Sequence, residues 1–456
     1  MLELLGTALA LAGGWSTPMP ISPVGRYAQQ SQVVAGNANG SAIVAWERDQ
    51  RVSVVRVNGG GPLSEPLAMV GGEAENPLVA INERGDYAVA FVSKGRTLAG
   101  LHNDNAFDTT FTECSLSPAG LGLAESGVAT VVWQDCDTLY SADFAPRAGD
   151  LTPRIAIPSP VRPQNAQLKV AADGSAVAVW TGYTGLYAAT RPAGGAWTTV
   201  TLTADQPQGA ALSLTPDGTA VVTNGTLVYV KPPGGTFGAP ITLPMAADYP
   251  VGADTVIAHD TRKTYALSLA GGVPVEVFPF PACGTDAVQT STLFVVGRTA
   301  CGGGPVWGAV RTDKGFVRTR LTPDAKLANY PPRIAPFGPG ALVVWPVSSG
   351  PPRNRGVMAA TTWRATPLIA FVGKPRVSGR RIRVRVRTSH EVRATLALVR
   401  GRRIVTRTRR TLAPGTHTLT LRGRGTRLVL SVPRGDEITR AVGGSATRSG
   451  LRPSRG

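Results

Sequence analysis

Long apolar runs, helical patterning and histidine are all scarce in this sequence of 456 residues. No run reaches the roughly 18–20 apolar residues of a membrane-spanning helix, and hardly any long stretch has apolar residues at helical spacing. The four histidines have no partner spacing, and HExxH, paired CxxC, GxSxG and P-loop motifs are missing. We therefore expect no transmembrane segment, no metal site and no cofactor.

A short hairpin pattern is present instead, and it returns along most of the chain. Its clearest copy is Leu168–Trp180, LKVAADGSAVAVW, where an Asp-Gly turn joins two apolar runs and a tryptophan closes the second. Asp-Gly between two such runs is a strong hairpin signal. Related hairpins are predicted at Val33–Trp46, Leu78–Phe91, Leu121–Trp133, Ala211–Val222, Asp254–Leu267, Ala287–Val296 and Arg333–Trp345.

The spacing of these hairpins indicates a repeat. The turn glycines are predicted at positions 40, 85, 127, 174, 218 and 340, so the intervals are 45, 42, 47, 44 and then 122 residues, the last of which leaves room for two more units. Strand repeats of about 40–45 residues are typical of β-propeller blades. The sequence therefore predicts an all-β protein with a propeller of eight blades, or seven if one degenerate unit is an insertion; a pair of sandwiches or a solenoid is the alternative.

The propeller is expected to span residues 14–365. Gly14–Pro23 has the pattern of a fourth strand with nothing before it, and we expect it to complete the last blade and close the ring. Residues 1–13 have two interpretations. The apolar segment Leu4–Ala12 is either a signal-peptide remnant that lacks a basic n-region or an extra strand.

The four cysteines occupy equivalent places in two repeats. Cys114 and Cys136 flank one predicted hairpin, and Cys283 and Cys301 flank another. The start of the first strand lies opposite the end of the second in a hairpin, so the repeat predicts the disulfides Cys114–Cys136 and Cys283–Cys301. Disulfides persist in oxidising compartments, and we therefore expect an extracellular or cell-surface protein.

The net charge of +18 is concentrated at one end of the chain. Residues 372–456 hold 22 basic and 3 acidic residues, a net charge of +19, whereas residues 1–371 hold 25 basic and 26 acidic residues, a net charge of −1. Residues 366–440 contain several predicted strands, which favours a small immunoglobulin-like or fibronectin-like β-sandwich. Residues 441–456 are rich in glycine, serine and arginine, and we expect a disordered tail.

One segment of this basic module alternates strictly. In Arg381–Arg387, RIRVRVR, the apolar residues share one side of a strand and the arginines share the other. We expect an arginine face that binds polyanions such as acidic envelope polymers. Its predicted members are Arg381, Arg383, Arg385, Arg387, Arg407, Arg409 and Arg410. Nucleic acid is not favoured as a partner, because no aromatic side chain for base stacking follows Phe371.

The motifs DGSAVAVW and GGAWTTVTLT resemble those of secreted actinobacterial β-propeller proteins, sialidase-like or of the WD repeat type, with a C-terminal immunoglobulin-like domain. The resemblance covers residues 15–365 and implies an extracellular propeller. It departs from the sialidase Asp-box, in which the aromatic residue follows the glycine closely, because Trp180 follows Gly174 by six residues.

The sequence favours a binding or scaffold protein over an enzyme. No convergent set of polar residues is visible, so no catalytic residue is predicted, and a protein or glycan ligand is expected on the propeller face. The alternative is a glycan-active hydrolase or lyase with its site at the mouth of the propeller channel. Carboxylates and arginines from different blades that converge at the channel would support the enzyme.

Overall fold

The computed structural model shows an all-β chain. The described residues form strands, turns and bends and contain no helix. They are residues 15–16, 18–22, 30–48, 51–58, 61–62, 67–68, 74–93, 96–101, 108–110, 118–144, 152–301, 303–322, 330–348, 355–362, 369–388, 392–401, 403–412, 415–431 and 437–442. In this part of the chain, no helix is long and apolar enough to cross a membrane.

The chain divides into two compact units. The first contains residues 1–57 and 62–363, and the second contains residues 364–456 together with residues 58–61. This division falls close to the predicted boundary after residue 365. The predicted signal or strand in residues 1–13 lies outside the described residues, as does the predicted tail apart from positions 441 and 442.

Antiparallel sheets, most of them four-stranded, make up the first unit. The first described strand of the chain, β1 (Met19–Pro20), belongs to the last of these sheets. The first sheet contains β2 (Gln30–Gly36), β3 (Ser41–Arg48), β4 (Arg51–Asn58), β5 (Gly61–Pro62) and β6 (Leu67–Ala68). The second contains β7 (Ala74–Ile81), β8 (Tyr87–Ser93), β9 (Arg96–Leu101) and β10 (Asp108–Thr110).

The next three sheets repeat the same order of strands. The third contains β11 (Pro118–Leu123), β12 (Ala129–Asp135), β13 (Thr138–Phe144) and β14 (Ile155–Ile157). The fourth contains β15 (Gln164–Val170), β16 (Ala176–Thr181), β17 (Leu186–Arg191) and β18 (Thr198–Thr203). The fifth contains β19 (Ala211–Leu214), β20 (Ala220–Asn224), β21 (Leu227–Lys231) and β22 (Ile241–Thr242).

Three more sheets complete the first unit. The sixth contains β23 (Ala247–Val251), β24 (Thr255–His259), β25 (Thr264–Ser268) and β26 (Val275–Phe278). The seventh contains β27 (Cys283–Gln289), β28 (Leu293–Arg298), β29 (Val306–Thr312) and β30 (Gly315–Arg320). The last contains β31 (Arg333–Phe337), β32 (Gly340–Ser348) and β33 (Arg355–Thr361), with β1 at its outer edge.

The first strand of each sheet contacts the first strand of the next. These contacts run in chain order from β2 through β7, β11, β15, β19, β23 and β27 to β31, and β31 contacts β2. The first strands are therefore the innermost strands of a closed ring, and the repeated sheets form a β-propeller. We call the end of the ring where these strands begin the start end, and the opposite end, where they turn into the second strands, the turn end.

The second strands are apolar at consecutive positions because each is covered on both faces by neighbouring sheets. Trp46, Trp133, Trp180 and Trp345 sit at equivalent places in four of these strands, and each is fully buried. The predicted closing aromatic of the hairpin is thus a core residue.

The N-terminal segment closes the ring as the sequence predicts. Met19 and Pro20 pair with Ala359 and Met358 of β33. Two serines extend this edge, because the Thr361 N–H donates to Ser16 Oγ at 3.1 Å and the Val357 N–H donates to Ser22 Oγ at 2.8 Å. The two ends of the first unit are thereby joined within one sheet, which leaves no open edge between its first and last repeats.

Two local predictions are wrong. The last turn glycine is Gly338, with a φ of 61°, because Gly340 already pairs with Phe337 at the start of β32. The predicted hairpin at Asp254–Leu267 is the second and third strands of its sheet, and its first strand is β23. Neither place has the Asp-Gly pair that marks the turns at Gly174 and Gly218, so the pattern assigned the turn to the wrong residues.

The second unit contains two sheets. One has the order β34 (Ile369–Ser378), β35 (Arg381–Thr388) and β38 (Gly415–Arg422). The other has the order β37 (Arg403–Leu412), β36 (Val392–Arg400), β39 (Arg427–Ser431) and β40 (Glu437–Ala441). Buried residues of both sheets form one hydrophobic core, including Val384, Leu421, Leu396 and Leu430.

Candidate functional site

Strand β35 places its arginines on one side, as the alternating sequence predicts. Ile382, Val384 and Val386 are 2%, 2% and 0% exposed. The arginines that alternate with them, at positions 381, 383 and 385, are exposed. The reason is the two-residue period of a strand, which directs alternate side chains to opposite faces of the sheet.

Neighbouring strands add two arginines that the sequence analysis missed. Arg376 of β34 lies opposite Arg383, and Arg422 of β38 lies opposite Arg381. Directly opposite residues point to the same side of a sheet, and both of these arginines are exposed. We define the β35 arginine face as Arg376, Arg381, Arg383, Arg385 and Arg422. The sequence did offer a signal for Arg422. It ends the segment THTLTLR, in which polar and apolar residues alternate as they do in β35.

The β35 arginine face has no neutralising carboxylate within its own sheet. The sequences of β34, β35 and β38 contain no aspartate and no glutamate. Thr418 and Thr420 of β38 lie opposite Arg385 and Arg383 and are exposed. Hydroxyl groups can donate to anionic oxygens without adding charge, so the face combines cations that have no carboxylate in their own sheet with small polar groups.

The expectation of one common arginine face is wrong for the β37 residues. Arg407 and Arg409 lie opposite Ala397 and Thr395 in the other sheet. The two sheets bury their facing sides in one core, so their outer sides point away from each other. Arg407 and Arg409 therefore cannot extend the β35 arginine face, although their predicted role in binding stays a prediction.

The last two predicted arginines, Arg410 and Arg387, lie in different sheets. Arg410 lies opposite Ala394, which is buried, so it belongs to the core side of the exposed edge strand β37. Arg387 pairs with Thr416 along β35, but its side chain lies outside the described residues. The seven predicted residues are thus distributed over both sheets.

A disulfide joins Cys283 and Cys301, the pair predicted from the repeat. Their Cα atoms are 5.1 Å apart, and the bond links the start of β27 to the chain just beyond the end of β28. Cys136, at the end of the second strand of the third sheet, is also disulfide-bonded. Its predicted partner Cys114 lies outside the described residues, so that pairing stays a prediction.

A histidine–carboxylate pair lies close to this disulfide at the start end of the ring. His259 Nδ1 is 2.8 Å from Asp248 Oδ2, and the Thr285 hydroxyl donates to the same oxygen at 3.3 Å. Burial raises the pKa of Asp248, whereas His259 and both hydrogen bonds act against this rise. The neighbouring Asp260 has a turn role, because its carboxylate accepts from the backbone N–H groups of Arg262 and Lys263 at 2.6 and 2.7 Å.

Two glutamates from adjacent sheets also meet at the start end. Glu47 lies near the end of β3, and Glu75 lies near the start of β7. Burial raises the pKa of the Glu47 carboxyl, and the negative charge of Glu75 raises it further. Among the described residues, no group of three or more histidine, cysteine, aspartate or glutamate side chains could hold a metal ion.

Comparisons with known proteins support the propeller. No protein-family model matches the chain, and no curated protein sequence matches it. The solved structure described as the Dos1 propeller is similar, with a TM-score of 0.53 and 10% identity over 77% of this chain and 96% of that chain. This similarity concerns the fold alone.

Weaker structural similarity extends to propellers of different kinds. The WD40 domain of SCAP from fission yeast has a TM-score of 0.47 and 10% identity, over 77% of this chain and 98% of that one. A streptogramin B lyase has a TM-score of 0.42 and 10% identity, over 75% and 97%.

Proposed function

We propose that this protein is an extracellular or cell-surface propeller protein that binds without catalysis, and that its C-terminal module holds linear polyanions of the cell envelope. The observation that carries the proposal is the β35 arginine face, which has no carboxylate in its own sheet. A protein or glycan ligand on the propeller is a further part of the proposal.

The proposed architecture is a ring of eight blades followed by an immunoglobulin-like sandwich. Support for eight blades comes from the closed series of contacts between innermost strands. Support for the sandwich comes from two antiparallel sheets of three and four strands that share one core. Two packed antiparallel sheets of about seven strands are the arrangement of immunoglobulin-like domains.

The spacing of the arginines favours a linear polymer. Residues two apart on a strand are about 6.7 Å apart, so Arg381, Arg383 and Arg385 form a row of regularly spaced charges. A linear polyanion that lies along β35 could contact the row repeatedly, whereas a small anion would use one position. Arg376 and Arg422 widen the row on either side.

The disulfide supports the extracellular part of the proposal. Cys283 and Cys301 are bonded, and none of the cysteines in the described part of the chain is free. Such bonds are rare in reducing compartments. Secretion can be tested directly by locating the full-length protein in the culture medium, the wall fraction and the cytoplasm of the producing cell.

Two matched triple variants test the polyanion face. Arg381→Gln, Arg383→Gln and Arg385→Gln together remove three charges from the β35 arginine face. Arg400→Gln, Arg403→Gln and Arg427→Gln remove the same charge from exposed positions of the other sheet. Exposed ion pairs contribute about 0.2–1 kcal/mol each, so we expect the first variant to bind a poly(glycerol phosphate) probe about tenfold more weakly. The second variant should bind like the wild type.

Equal weakening in both variants would contradict a defined face, because net charge alone would then explain binding. No binding of the wild type in buffers of low ionic strength would overturn the proposal altogether. Circular dichroism and thermal unfolding of the full-length variants should show that both keep the wild-type fold.

A glycan-active hydrolase remains the second candidate function, and Glu47 and Glu75 favour it. A half-buried carboxyl group whose pKa is raised beside a second carboxylate is the kind of group that serves as the general acid in cleavage of a glycoside. If this candidate is correct, Glu47→Gln should slow the release of reducing ends from a polysaccharide by about 10²–10⁴-fold. Glu83→Gln at the turn end is the control. No release by the wild type from neutral or acidic polysaccharides would exclude it.

A further inference from the structure

The centre of the ring contains a group of ionisable side chains that the proposed function does not use. Lys169, Tyr249, Asp286 and Arg333 lie on the innermost strands of four different sheets. Asp286 and Arg333 occupy corresponding places in adjacent innermost strands, because Asp286 accepts from the N–H of Ile334, the residue after Arg333. Tyr249, like Asp286, is the first paired residue after the register shift of its strand. Lys169 lies slightly nearer the turn end of β15.

Asp286 is the most buried member of this group, with 7% of its surface exposed. Its Oδ1 accepts from the Ala287 N–H at 2.9 Å, and its Oδ2 accepts from the Ile334 N–H of the next innermost strand at 3.1 Å. The carboxylate therefore links the seventh sheet to the last.

A neutral side chain makes the corresponding link elsewhere in the ring. Gln167 occupies the equivalent position of β15, and its Oε1 accepts from the Leu212 N–H of the next innermost strand at 3.2 Å. Its amide also donates to the Ala210 carbonyl at 2.7 Å. Because an amide suffices to join two sheets, the charge at position 286 has no purely architectural explanation.

The two cations of the group face this carboxylate without pairing with it. Lys169 and Arg333 are exposed to solvent, and among the described residues neither side chain takes part in a hydrogen bond or an ion pair. Two other sheets separate the sheet of Lys169 from that of Asp286, so their charges can interact only across the open centre of the ring.

The ring walls strengthen these electrostatic effects. The Lys169 ammonium keeps contact with solvent, but the innermost strands surround it. This loss of bulk water lowers the pKa of Lys169. The negative charge of Asp286 raises that pKa, and the positive charge of Arg333 lowers it further. Burial likewise raises the pKa of Asp286 against the opposing effect of Arg333. The charge of Asp286, burial and a hydrogen bond to the Asp286 side chain raise the pKa of the Tyr249 phenol, so this hydroxyl stays protonated and helps to hold the carboxylate.

We propose that the centre of the ring binds one carboxylate group of a small acidic ligand, such as a uronic acid, between Lys169 and Arg333. The residues carry two positive charges against the single carboxylate of Asp286, and a bound monoanion balances this excess. A guanidinium and an ammonium are the side chains that hold carboxylates by charge-assisted hydrogen bonds. The site is independent of the β35 arginine face.

The test is calorimetric titration of the full-length protein with three probes, sodium glucuronate, glucose and inorganic phosphate. We expect glucuronate to bind and glucose not to bind, since glucose lacks the carboxylate. Lys169→Gln and Arg333→Gln should each weaken glucuronate binding about tenfold or more. The controls Lys314→Gln and Arg262→Gln remove exposed charges at turns of the outer strands and should bind like the wild type.

Three results would overturn the proposal. These are no glucuronate binding by the wild type, equal binding by the variants of Lys169 and Arg333, or binding of phosphate with no binding of glucuronate. Thermal unfolding of each variant checks that the ring is intact. The triple variant of β35 keeps all four central residues and should bind glucuronate normally, so failure of the polyanion proposal and failure of this one are distinguishable.

Discussion

Trp15 lies directly over Gly308, and the two residues join the first segment of the chain to the seventh sheet. A Cβ atom at position 308 would come 2.4 Å from Trp15 Nε1. The Trp15 indole is 8% exposed and packs edge-on against Phe294, with ring centroids 6.2 Å apart. Ring closure therefore depends on the absence of a side chain at position 308.

This contact predicts that Gly308→Ala destabilises the propeller. The added methyl group has no room, and overpacking of this kind costs about 1–3 kcal/mol. Gly238→Ala is the matched control, because its Cβ would meet only the Val230 carbonyl oxygen at an ordinary 3.7 Å. Urea unfolding followed by tryptophan fluorescence measures both. Equal stability of the two variants would show that Trp15 does not hold the ring closed.

The ion pair between Arg191 and Asp143 joins the third and fourth sheets, and we expect it to stabilise the fold more than an exposed ion pair does. Arg191 Nη1 and Nη2 donate to the two carboxylate oxygens at 3.0 and 2.9 Å, and Nη2 also donates to Thr130 Oγ1 at 2.8 Å. The Arg191 side chain is 3% exposed. Arg191→Met should lower the free energy of unfolding by about 3–5 kcal/mol, because it leaves a partly buried carboxylate without its partner.

The control for that prediction is an exposed pair of the same chemistry. Arg162 Nε lies 3.1 Å from Asp137 Oδ1, and the two side chains are 56% and 74% exposed. Arg162→Met should change the free energy of unfolding by less than about 1 kcal/mol. Similar losses in both variants would mean that burial does not distinguish these pairs.

Lys169→Met should stabilise the protein at neutral pH, because it removes a poorly solvated cation that faces Arg333, Asp286 and Tyr249. The pKa of Lys169 is lowered in the folded state from its ordinary 10.5, so the folded chain holds fewer protons between the two values. The charge of Lys169 therefore lowers the free energy of unfolding of the wild type by its full amount below the lowered pKa. This destabilisation disappears as the pH rises toward 10.5. Urea unfolding of both proteins at several pH values measures it; a less stable variant at neutral pH would indicate a structural ion pair instead.

Removal of the Cys283–Cys301 disulfide should destabilise the seventh sheet. The bond closes a loop with a sequence separation of 18, for which loop-closure entropy gives about 3 kcal/mol. The double variant Cys283→Ser and Cys301→Ser should lose this amount under oxidising conditions and differ little from the reduced wild type.

A peptide map of the non-reduced protein also tests the predicted Cys114–Cys136 bond, which a peptide with free Cys114 would contradict.

Local chemistry explains the parts of the fold that could be predicted. Gly85, Gly174 and Gly218 have φ values of 84°, 92° and 91°, which glycine adopts without strain. The predicted hairpin turns at these glycines are thus present. The turn near residue 338 was misplaced because Gly338-Pro339-Gly340 offers two glycines, and only the pairing of Phe337 with Gly340 decides between them.

The candidate binding residues show the limit of the same approach. Alternation along β35 correctly predicted that Arg381, Arg383 and Arg385 share one side. It could not show that Arg407 belongs to the opposite sheet, since the pairing of strands is decided by contacts between segments far apart in the chain. For the same reason the sequence analysis combined two faces that point in different directions.

The amino-acid sequence by itself determined the strands, their turns and the two sides of each strand, because these depend on residues close together in the chain. Only the tertiary structure decided which residues meet at the centre of the ring. Lys169 and Asp286 are 117 positions apart, and nothing in their local sequences relates one to the other. They come together because the repeated sheets close into a circle, and the position of each innermost strand depends on all the others.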